Sequence, residues 1–360
     1  MSIIKIKNYM SKVKVLIILK KRHNYYGETP SNIGVSTGLY NSAMFINAML
    51  NDMGIESNLV VVIDNNDIDR EVTLYKPTHV IIEALWVVPN KFNILHKLHP
   101  HVKWIIRLHS QLPFLSNEGI AIKWLSEYLN HKNVFIAVNS PRMLDEVKYL
   151  LYHEHHKKVI YLPNYYPEKY KYKKQEKKHH HIDISCFGSI RPLKDQLIQA
   201  FAAIEFADKI GKKLNFHINV GRYEGKGEPI LNNLIALFEN QEHNGHKLVM
   251  HEWMPRHEFL ELCRKMDIGM QVSFSETFNI VGADLISQGV PLVGSSEIPW
   301  LSRFFAANPN KSNNIYRKLL LAYLYPKFNV KLNQILLKKY CDRTRRIWYD
   351  TFLIDFLFEK

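Results

Sequence analysis

Two carboxylates, Glu276 and Asp284, stand eight residues apart in the stretch SETFNIVGADLISQGVP. An apolar run that reads as a strand ends just before them at Phe274, and the pattern predicts a helix from about Asn279 to Gly289. Ligands of open α/β sheets bind at the carboxyl ends of the strands. Eight helical residues span at most ~12 Å, which is about the reach of a folded nucleotide sugar. The spacing therefore fits two acids that bind hydroxyl groups of one such ligand.

The second of these acids is expected to be buried. Ile280, Val281 and Leu285 form the inward apolar stripe of the predicted helix, and Asp284 falls within or beside that stripe. Burying a carboxylate is costly unless a donor reaches it. Two interpretations stay open. Either ribose hydroxyls donate to Asp284, or Asp284 pairs with a core arginine while Glu276 complements the helix dipole.

Positive charge is predicted beside the same strand ends. Free backbone amides from Phe278 to Val281 would form a helix N-terminus, which favours a diphosphate. In CFGSIRPLKDQ, Gly188 directly follows an apolar strand, and Arg191 and Lys194 come three and six residues later. These cations could neutralise a diphosphate, although a solvated surface lysine is the common alternative.

The elements that would position these residues are strands alternating with helices. Short β-rich apolar runs recur in the first half at 12–19, 59–64, 79–85, 101–109, 133–139 and 158–164. Similar runs recur in the second half at 181–188, 213–221, 247–254, 266–274 and 289–295. This pattern is typical of parallel strands covered by helices on both faces, which predicts an α/β fold.

The length of 360 residues favours two domains, because single cores stop growing near ~250–300 residues. We predict an N-terminal Rossmann-like domain at 1–165, a basic linker at 166–181, a C-terminal Rossmann-like domain at 182–330 and a helical tail at 331–360. The tail is expected to pack on the first domain, with a membrane surface as the alternative.

Bulk composition narrows the class of protein. No apolar run approaches the roughly 18 residues that span a bilayer. Cys186, Cys263 and Cys341 lie far apart without a C-x-x-C pair, which argues against a zinc site and favours the reducing cytoplasm. The net charge of +14 attracts polyanions such as nucleic acid, although a lysine-rich surface also serves solubility.

The residues singled out above carry a family resemblance. Gly188 with Lys194 six residues later, followed by Glu276-Thr277-Phe278 and an acid at 284, resembles the C-terminal domain of family 4 glycosyltransferases. These enzymes share the GT-B fold, in which two Rossmann-like domains face across a cleft. The resemblance covers the chain from the first strand to about residue 300. The stretches GVSTGLYNSA, RLHSQLPFLSNEG and YLPNYYP also look like a phage-associated branch.

The resemblance implies a retaining, metal-independent hexosyltransferase with a nucleotide sugar as co-substrate, UDP-glucose by default. The N-terminal domain would take the acceptor and the C-terminal domain the donor. By resemblance, Lys194 and Arg191 would bind the diphosphate, Glu276 the hexose, Asp284 the ribose, and Gly34 to Gly38 would approach the sugar-phosphate. The remaining donor contacts would come from Gly188 and from Phe278, Asn279, Ile280 and Val281. His109 matches a histidine beside the transferred sugar, and with Glu276 and Lys194 it completes the implied catalytic set.

The chain departs from the family pattern at three positions. Asp284 replaces the usual Glu, so the carboxylate stands on a side chain that is one methylene shorter. Asn279 replaces the usual Gly and is expected to expose an extra amide to the donor. Arg191 is shifted from the usual Gly-Arg order.

The acceptor has to be inferred from charge and composition. DNA is favoured by the net charge, by the basic aromatic linker (Tyr170 to Lys174) and by the phage-like stretches, and a hydroxymethylated pyrimidine would supply the nucleophilic hydroxyl. A cell-envelope glycan or a lipid-linked acceptor is the alternative, with the basic C-terminal helix on the membrane surface. A basic nucleic-acid-binding protein without enzymatic activity is the other class of function.

Two further enzyme classes fit less well. A nicotinamide-dependent enzyme would need G-x-G-x-x-G directly after the first strand, whereas Gly34 and Gly38 come later and are spaced G-x-x-x-G. A metal-dependent transferase would use a D-x-D, which Asp67 and Asp69 offer. A polar loop after the second strand is the favoured interpretation of that pair.

Overall fold

The computed structural model describes residues 12–21, 37–167, 169–170, 180–222 and 227–358. Gly34 and most of the basic linker therefore lie outside the described residues. The described chain divides into two compact units. Unit 1 holds the residues up to Pro167 and those from Cys341 onward, and unit 2 holds the residues between them.

Unit 1 is built on a parallel six-stranded sheet with the strand order β2-β1-β3-β4-β5-β6. Its strands are β1 (Lys14–Lys20), β2 (Glu56–Val62), β3 (His79–Glu83), β4 (Lys103–Leu108), β5 (Val134–Val138) and β6 (Val159–Tyr161). Its connecting helices are α1 (Thr37–Asp52), α2 (Asp67–Tyr75), α3 (Phe92–Leu98), α4 (Leu112–Leu115), α5 (Ala121–Leu129) and α6 (Pro141–Leu150).

Strand β1 of unit 1 is apolar on both faces, as the sequence predicts. Every residue from Val15 to Leu19 is fully buried. Strand β2 begins three residues earlier than the sequence pattern predicts. The side chain of Asn51 bonds the backbone of Ser57 in both directions, at 2.9 and 3.1 Å, and Lys14 pairs with Glu56 at 2.8 Å. These polar contacts extend the strand beyond its apolar run.

Unit 2 repeats the architecture with the strand order β12-β11-β10-β7-β8-β9, again all parallel. Its strands are β7 (His181–Ser185), β8 (Lys213–Asn219), β9 (Lys247–His251), β10 (Ile268–Gln271), β11 (Leu292–Ser295) and β12 (Ala306–Ala307). Its helices are α7 (Gln196–Lys209), α8 (Gly227–Glu239), α9 (Arg256–Arg264), α10 (Ile280–Ser287) and α11 (Ser312–Leu324). The two-residue β12 is too short to leave a sequence pattern.

The last helix, α12 (Pro326–Phe358), contributes its second half to unit 1. There the indole of Trp348 donates to the carbonyl of Pro163 at 2.9 Å, and Phe352 packs edge-on against His79 with ring centroids 5.1 Å apart. Trp348 and Phe352 are fully buried. The expectation that the tail helix packs on the N-terminal part of the chain is confirmed. Within the described ranges, no helix combines the length and apolarity needed to cross a membrane.

Candidate functional site

The turn after β7 carries the two predicted cations of unit 2. Gly188 has φ +116°, a conformation that favours glycine, and its N–H donates to Asn219 Oδ1 at 3.0 Å. Pro192–Lys194 forms a single 3₁₀ turn, in which the carbonyl of Leu193 accepts from the N–H of Phe274 at 2.9 Å. Because β7 and β10 are neighbouring strands, this bond brings Lys194 to the loop that contains Glu276.

Lys194 and Glu276 form an ion pair, with Lys194 Nζ donating to Glu276 Oε1. Their side chains are 13% and 8% exposed. Burial raises the pKa of Glu276, but the charges of Lys194 and then Arg191 outweigh it, so that the pKa lies below its ordinary value. The ionised acid is thus surrounded by two cations, and the cluster keeps a positive charge that suits an anionic ligand.

Asp195 follows Lys194 and is unusual in two respects. It has φ +56° without being glycine, and it is 7% exposed with no hydrogen-bond partner for Oδ2. Burial raises the pKa of Asp195 to about 7. No sequence pattern indicates that this acid is buried, because a charged residue after a lysine usually lies at the surface.

The N-terminus of α10 is capped by Asn279, which has φ +66°. Its Oδ1 accepts from the N–H of Gly282 at 2.7 Å, and its Nδ2 donates to Gln271 Oε1 at 2.9 Å. A Cβ on Gly282 would lie 3.1 Å from Asn279 Oδ1 and 3.0 Å from Leu292, so a larger residue would require these neighbours to shift. Asn279 is 7% exposed. The expectation that it exposes an extra amide is wrong, because the αL cap turns that amide inward.

Gln271, at the end of β10, is a residue that sequence reasoning missed. It is 2% exposed, and its Nε2 donates to the carbonyl of Phe187 at 2.9 Å while its Oε1 accepts from Asn279. One side chain therefore joins the turn after β7 to the cap of α10. A single glutamine within the apolar run MDIGMQVSF was the available signal.

The apolar stripe of α10 differs from the prediction. Leu285 is fully buried, but Ile280 and Val281 in the first turn are only partly buried. The first turn lies nearer the surface than the rest of the helix, where every residue from Gly282 to Ser287 is buried.

Phe278 packs against Trp300, whose indole N–H donates to the Phe278 carbonyl at 2.7 Å. The Phe278 ring is therefore part of the core, and a ligand at this position would contact the backbone of Phe278 and not its side chain.

Asp284 is 2% exposed and holds Arg256, which begins α9, in a bidentate ion pair. Arg256 Nη2 donates to Oδ1 at 2.6 Å and Nη1 to Oδ2 at 3.1 Å. Of the two donors that the sequence analysis considered for Asp284, ribose hydroxyls and an arginine, the arginine is therefore present. The guanidinium side chain of Arg256 is 21% exposed.

His109 lies in unit 1, after β4, and its side chain is 17% exposed. Its Nε2 hydrogen-bonds Glu83 Oε2, and Glu83 also accepts from Arg107 Nη1 at 3.0 and 3.2 Å. Glu83 and Arg107 have fully buried side chains. Of the two glycines in the predicted loop, only Gly38 is among the described residues, and it is exposed in the first turn of α1 rather than in a loop.

The D-x-D pair is a structural feature of α2. Asp67 Oδ2 accepts from the N–H groups of Ile63 and Asp64, at 2.9 and 3.3 Å, and Asp69 pairs with His99 at 2.7 Å. The interpretation of this pair as part of a polar loop is wrong about its place, because both aspartates lie in the first turn of α2, where they make these contacts within the protein. Among the residues that the structure describes, no group of three His, Cys, Asp or Glu side chains could hold a metal ion.

Comparisons with solved structures give the fold. The trehalose-6-phosphate synthase OtsA matches with a TM-score of 0.67 at 10% identity, over 95% of this chain and 98% of that one. The Anabaena protein HepE, solved in complex with UDP and glucose, matches with a TM-score of 0.62 at 11% identity, over 93% and 98%. The chain has the GT-B fold. Sucrose-phosphate synthase from Thermosynechococcus elongatus is also similar, with a TM-score of 0.61 at 12% identity over 96% and 100%.

The predicted fold class is thereby confirmed, with two Rossmann-like α/β units. No protein-family model and no curated protein matches the chain. At identities near one residue in ten, the structural likeness establishes the fold, and the chemistry has to be argued from the side chains.

Proposed function

We propose that the protein is a hexosyltransferase that moves a sugar from a nucleotide-sugar donor, UDP-glucose by default, to an acceptor hydroxyl. The observation that carries this proposal is the cluster of Lys194, Arg191 and Glu276 at the carboxyl end of β7 and β10, in the GT-B fold. Two solved structures with this fold are described with UDP and glucose or with UDP-2-fluoro glucose bound.

The roles of the unit 2 residues follow from charge and position. Lys194 and Arg191 bind the diphosphate, assisted by the backbone N–H groups of Ile280 and Val281 in the first turn of α10. Glu276 accepts hydrogen bonds from hexose hydroxyls. Lys194 changes partner on binding, because the diphosphate offers it more negative charge than one carboxylate.

Asp284 and Arg256 form the part of the donor site that binds the ribose. Both oxygens of the buried carboxylate accept from the guanidinium, so the exposed part of Arg256 presents the pair to the nucleotide. The Asp in place of the usual Glu is one methylene shorter, and Arg256 extends its reach.

The reaction proceeds with retention and without a metal ion. The bond from the anomeric carbon to the phosphate oxygen breaks, and a bond to the acceptor oxygen forms on the same face of the sugar. The acceptor proton passes to the departing phosphate oxygen, and Lys194 and Arg191 stabilise the diphosphate charge as it develops. His109 contacts the transferred sugar.

The acceptor is DNA, with a hydroxymethylated pyrimidine as the nucleophile. The support is the net charge of +14 and the basic composition of residues 166–181, most of which lie outside the described ranges. The proposed compartment is the cytoplasm, of a host cell if a phage encodes the protein. All three cysteines are free and buried, as in a reducing environment.

The test of the donor and the acceptor is one assay. The protein is incubated with isotope-labelled nucleotide sugars and with either hydroxymethylated or unmodified DNA, and the DNA is digested to nucleosides for mass spectrometry. We expect a hexose on the hydroxymethylated base only, with unchanged yield in EDTA. Retention is read from the anomeric configuration of the product by NMR.

Other outcomes of that assay contradict specific parts of the proposal. Labelled sugar on a glycan or lipid-linked acceptor, with none on DNA, contradicts the DNA acceptor and leaves glycosyl transfer intact. Activity only with added manganese contradicts the metal-independent mechanism. If the protein binds DNA but no nucleotide sugar, the proposal that it is a glycosyltransferase is contradicted, and a nucleic-acid-binding protein is favoured. Binding to duplex DNA is expected to weaken steeply with salt.

A further inference from the structure

The first turns of α12 have an unusual distribution of polar and apolar side chains. In residues 326–334 the buried side chains are two amides, those of Asn329 and Asn333. Asn329 bonds both the N–H and the carbonyl of Leu292, the first residue of β11, at 2.9 and 3.0 Å. Asn333 accepts from the N–H of Ser302 at 2.9 Å. A surface helix normally turns its apolar side chains towards the core, so these turns differ from the usual arrangement.

Large apolar side chains lie on the exposed side of the same part of unit 2. We call them the corner surface, and they are 44–67% exposed: Phe304, Leu324, Tyr325, Phe328 and Ile335. Phe328 and Ile335 are about two helical turns apart and therefore share one face of α12. Two of the five stand at the junction of α11 and α12. The turn that carries Phe304 reaches α12 through Phe305, whose ring centroid lies 6.1 Å from that of Phe328. The five side chains are thus neighbours on one surface, and an apolar patch of this kind indicates an interaction site.

The chain around the corner surface carries charge of one sign only. Residues 298–341 contain no acid and eight cations, which supply more than half of the net charge of +14. The cations are Arg303, Lys311, Arg317, Lys318, Lys327, Lys331, Lys338 and Lys339. Lys327 and Lys331 are exposed on α12, directly before Phe328 and about one turn after it. The corner surface is therefore bordered by positive charge.

Acids of the adjoining helix α7 do not neutralise this charge. Glu205 and Asp208 line a depression at the opposite end of α11, beside Ser312. They pair with Lys209 and His246, at 2.7 and 2.9 Å. The positive charge of the corner surface is therefore available to an external partner.

The apolar and the charged parts together identify the class of that partner. A second copy of the chain would bring the same positive charge, which repels it. DNA would satisfy the cations but would leave Leu324 and Ile335 without an apolar medium, since most of its contacts with proteins are made by phosphate and sugar. A membrane with anionic lipids offers phosphates to Lys and Arg and an apolar layer directly below them. Its chemistry matches both parts of the surface.

We propose that the corner surface is a docking site for anionic membranes. Phe304, Leu324 and Phe328 enter the boundary between headgroups and acyl chains, and Lys327 and Lys331 contact the lipid phosphates. The contact is peripheral, and it holds unit 2 at the membrane surface. The inference rests on burial and charge, so it is independent of the donor and the acceptor in the proposed function.

The first test is co-sedimentation of the full chain with two kinds of vesicle. One kind is phosphatidylcholine alone, and in the other about a third of the lipid is phosphatidylglycerol. We expect binding to the anionic vesicles only, and release of the protein as added salt screens the lipid charge. No binding to the anionic vesicles, or equal binding to both kinds, overturns the inference.

The second test locates the binding surface with Phe328→Gln/Lys331→Gln, which removes one apolar side chain and one cation. We expect this variant to bind anionic vesicles at least about tenfold more weakly than wild type. The matched control is Met250→Gln/Lys247→Gln on β9, at the opposite edge of the sheet, where Met250 is 50% exposed. The control should bind as wild type does. An unchanged affinity in the first variant, or an equal loss in the control, overturns the inference.

A second corner variant, Leu324→Gln/Lys327→Gln, repeats the measurement without changing the Phe328 ring that contacts Phe305. Thermal melting shows which variants are folded. The same proteins are tested for binding to duplex DNA and, by light scattering, for dimerisation. If the corner variants lose DNA binding or a dimer contact while wild type binds no vesicles, the surface is a nucleic-acid interface or a contact between copies, and the lipid site is overturned.

Discussion

Unit 1 and unit 2 each place a charged cluster where parallel strands end, but the two clusters are built differently. In unit 1, Glu83 and Arg107 lie on the strands themselves and their side chains are fully buried. In unit 2, Lys194 and Glu276 lie on the turns that follow the strands and keep 13% and 8% of their side-chain surface. The first pair balances its charges, whereas Arg191 leaves the second with an excess of positive charge.

The difference indicates different tasks. A fully buried, neutral pair cannot meet a ligand, and its effect passes through the neighbour that it orients, here His109. A partly exposed cationic cluster at a strand end can exchange its internal partner for an anion. We therefore expect substitutions in unit 1 to act first on stability and those in unit 2 to act first on ligand binding.

The largest stability effect is expected for Glu83→Ala. It leaves the Arg107 charge buried without a carboxylate, which typically costs about 3–5 kcal/mol. Lys194→Met is the counterpart in unit 2 and should cost less than Glu83→Ala, because the remaining acid still has the Arg191 charge beside it. Urea denaturation of both variants measures the difference. Equal losses of unfolding free energy would remove the contrast between the clusters.

Asp195 makes the stability of unit 2 depend on pH in the opposite sense to an ordinary paired carboxylate. Burial raises the pKa of Asp195 from its ordinary value of 3.8 to about 7, so the folded state binds more protons than the unfolded state between these pH values. Its contribution is complete below about pH 4 and is lost as pH rises to about 7, by at most about 4 kcal/mol. Asp195→Asn should stabilise the protein at pH 8 and leave it unchanged at pH 4. Denaturant midpoints at the two pH values test this, and a variant less stable at pH 8 would contradict it.

Gln271→Ala should weaken both the fold and the donor site. It leaves the buried Phe187 carbonyl and Asn279 amide without their partner, at a cost of about 1–3 kcal/mol. Because the same side chain joins the two turns, UDP affinity should fall by about tenfold as well. Gln288→Ala removes another buried glutamine, at the far end of α10, and should leave UDP affinity unchanged. Calorimetric titration with UDP distinguishes the two variants.

The smallest effect is expected for Asn279→Gly. Glycine relieves the φ of +66° but removes the cap that Oδ1 gives to Gly282, and these contributions nearly cancel within about 1 kcal/mol. Asn279→Ala loses the cap and keeps the strain, so it should be less stable than Asn279→Gly. Thermal melting ranks the two, and the reverse order would show that the left-handed cap is unimportant.

Much of the fold was predictable because hydrophobic periodicity reports burial directly. The runs at 12–19 and 213–221 are strands, and the tail helix packs where amphipathicity suggested. The turn residues Lys194 and Glu276 could be related to each other because polar residues after an apolar strand must lie at a sheet edge.

Several contacts of the site could not be predicted from the sequence, and each for a physical reason. Glu83 and Arg107 are single charges inside apolar runs, where no local spacing relates them, and only the pairing of β3 with β4 brings them together. Arg256 follows a proline at a helix start, far in sequence from Asp284. The inward turn of Asn279 depends on a backbone angle that residue identity permits but does not impose.

The most direct test of the account is the turnover and UDP affinity of Lys194→Ala, compared with wild type and with Lys209→Ala, which removes an exposed lysine of α7. Removing a preorganised cation from a developing diphosphate typically costs about 3–4 kcal/mol of barrier. We predict turnover of UDP-glucose about 10²–10³-fold below wild type in Lys194→Ala, weaker UDP binding, a folded protein with a slightly lower melting temperature, and wild-type behaviour in Lys209→Ala. A folded Lys194→Ala protein that binds UDP and turns over the donor at the wild-type rate would contradict it.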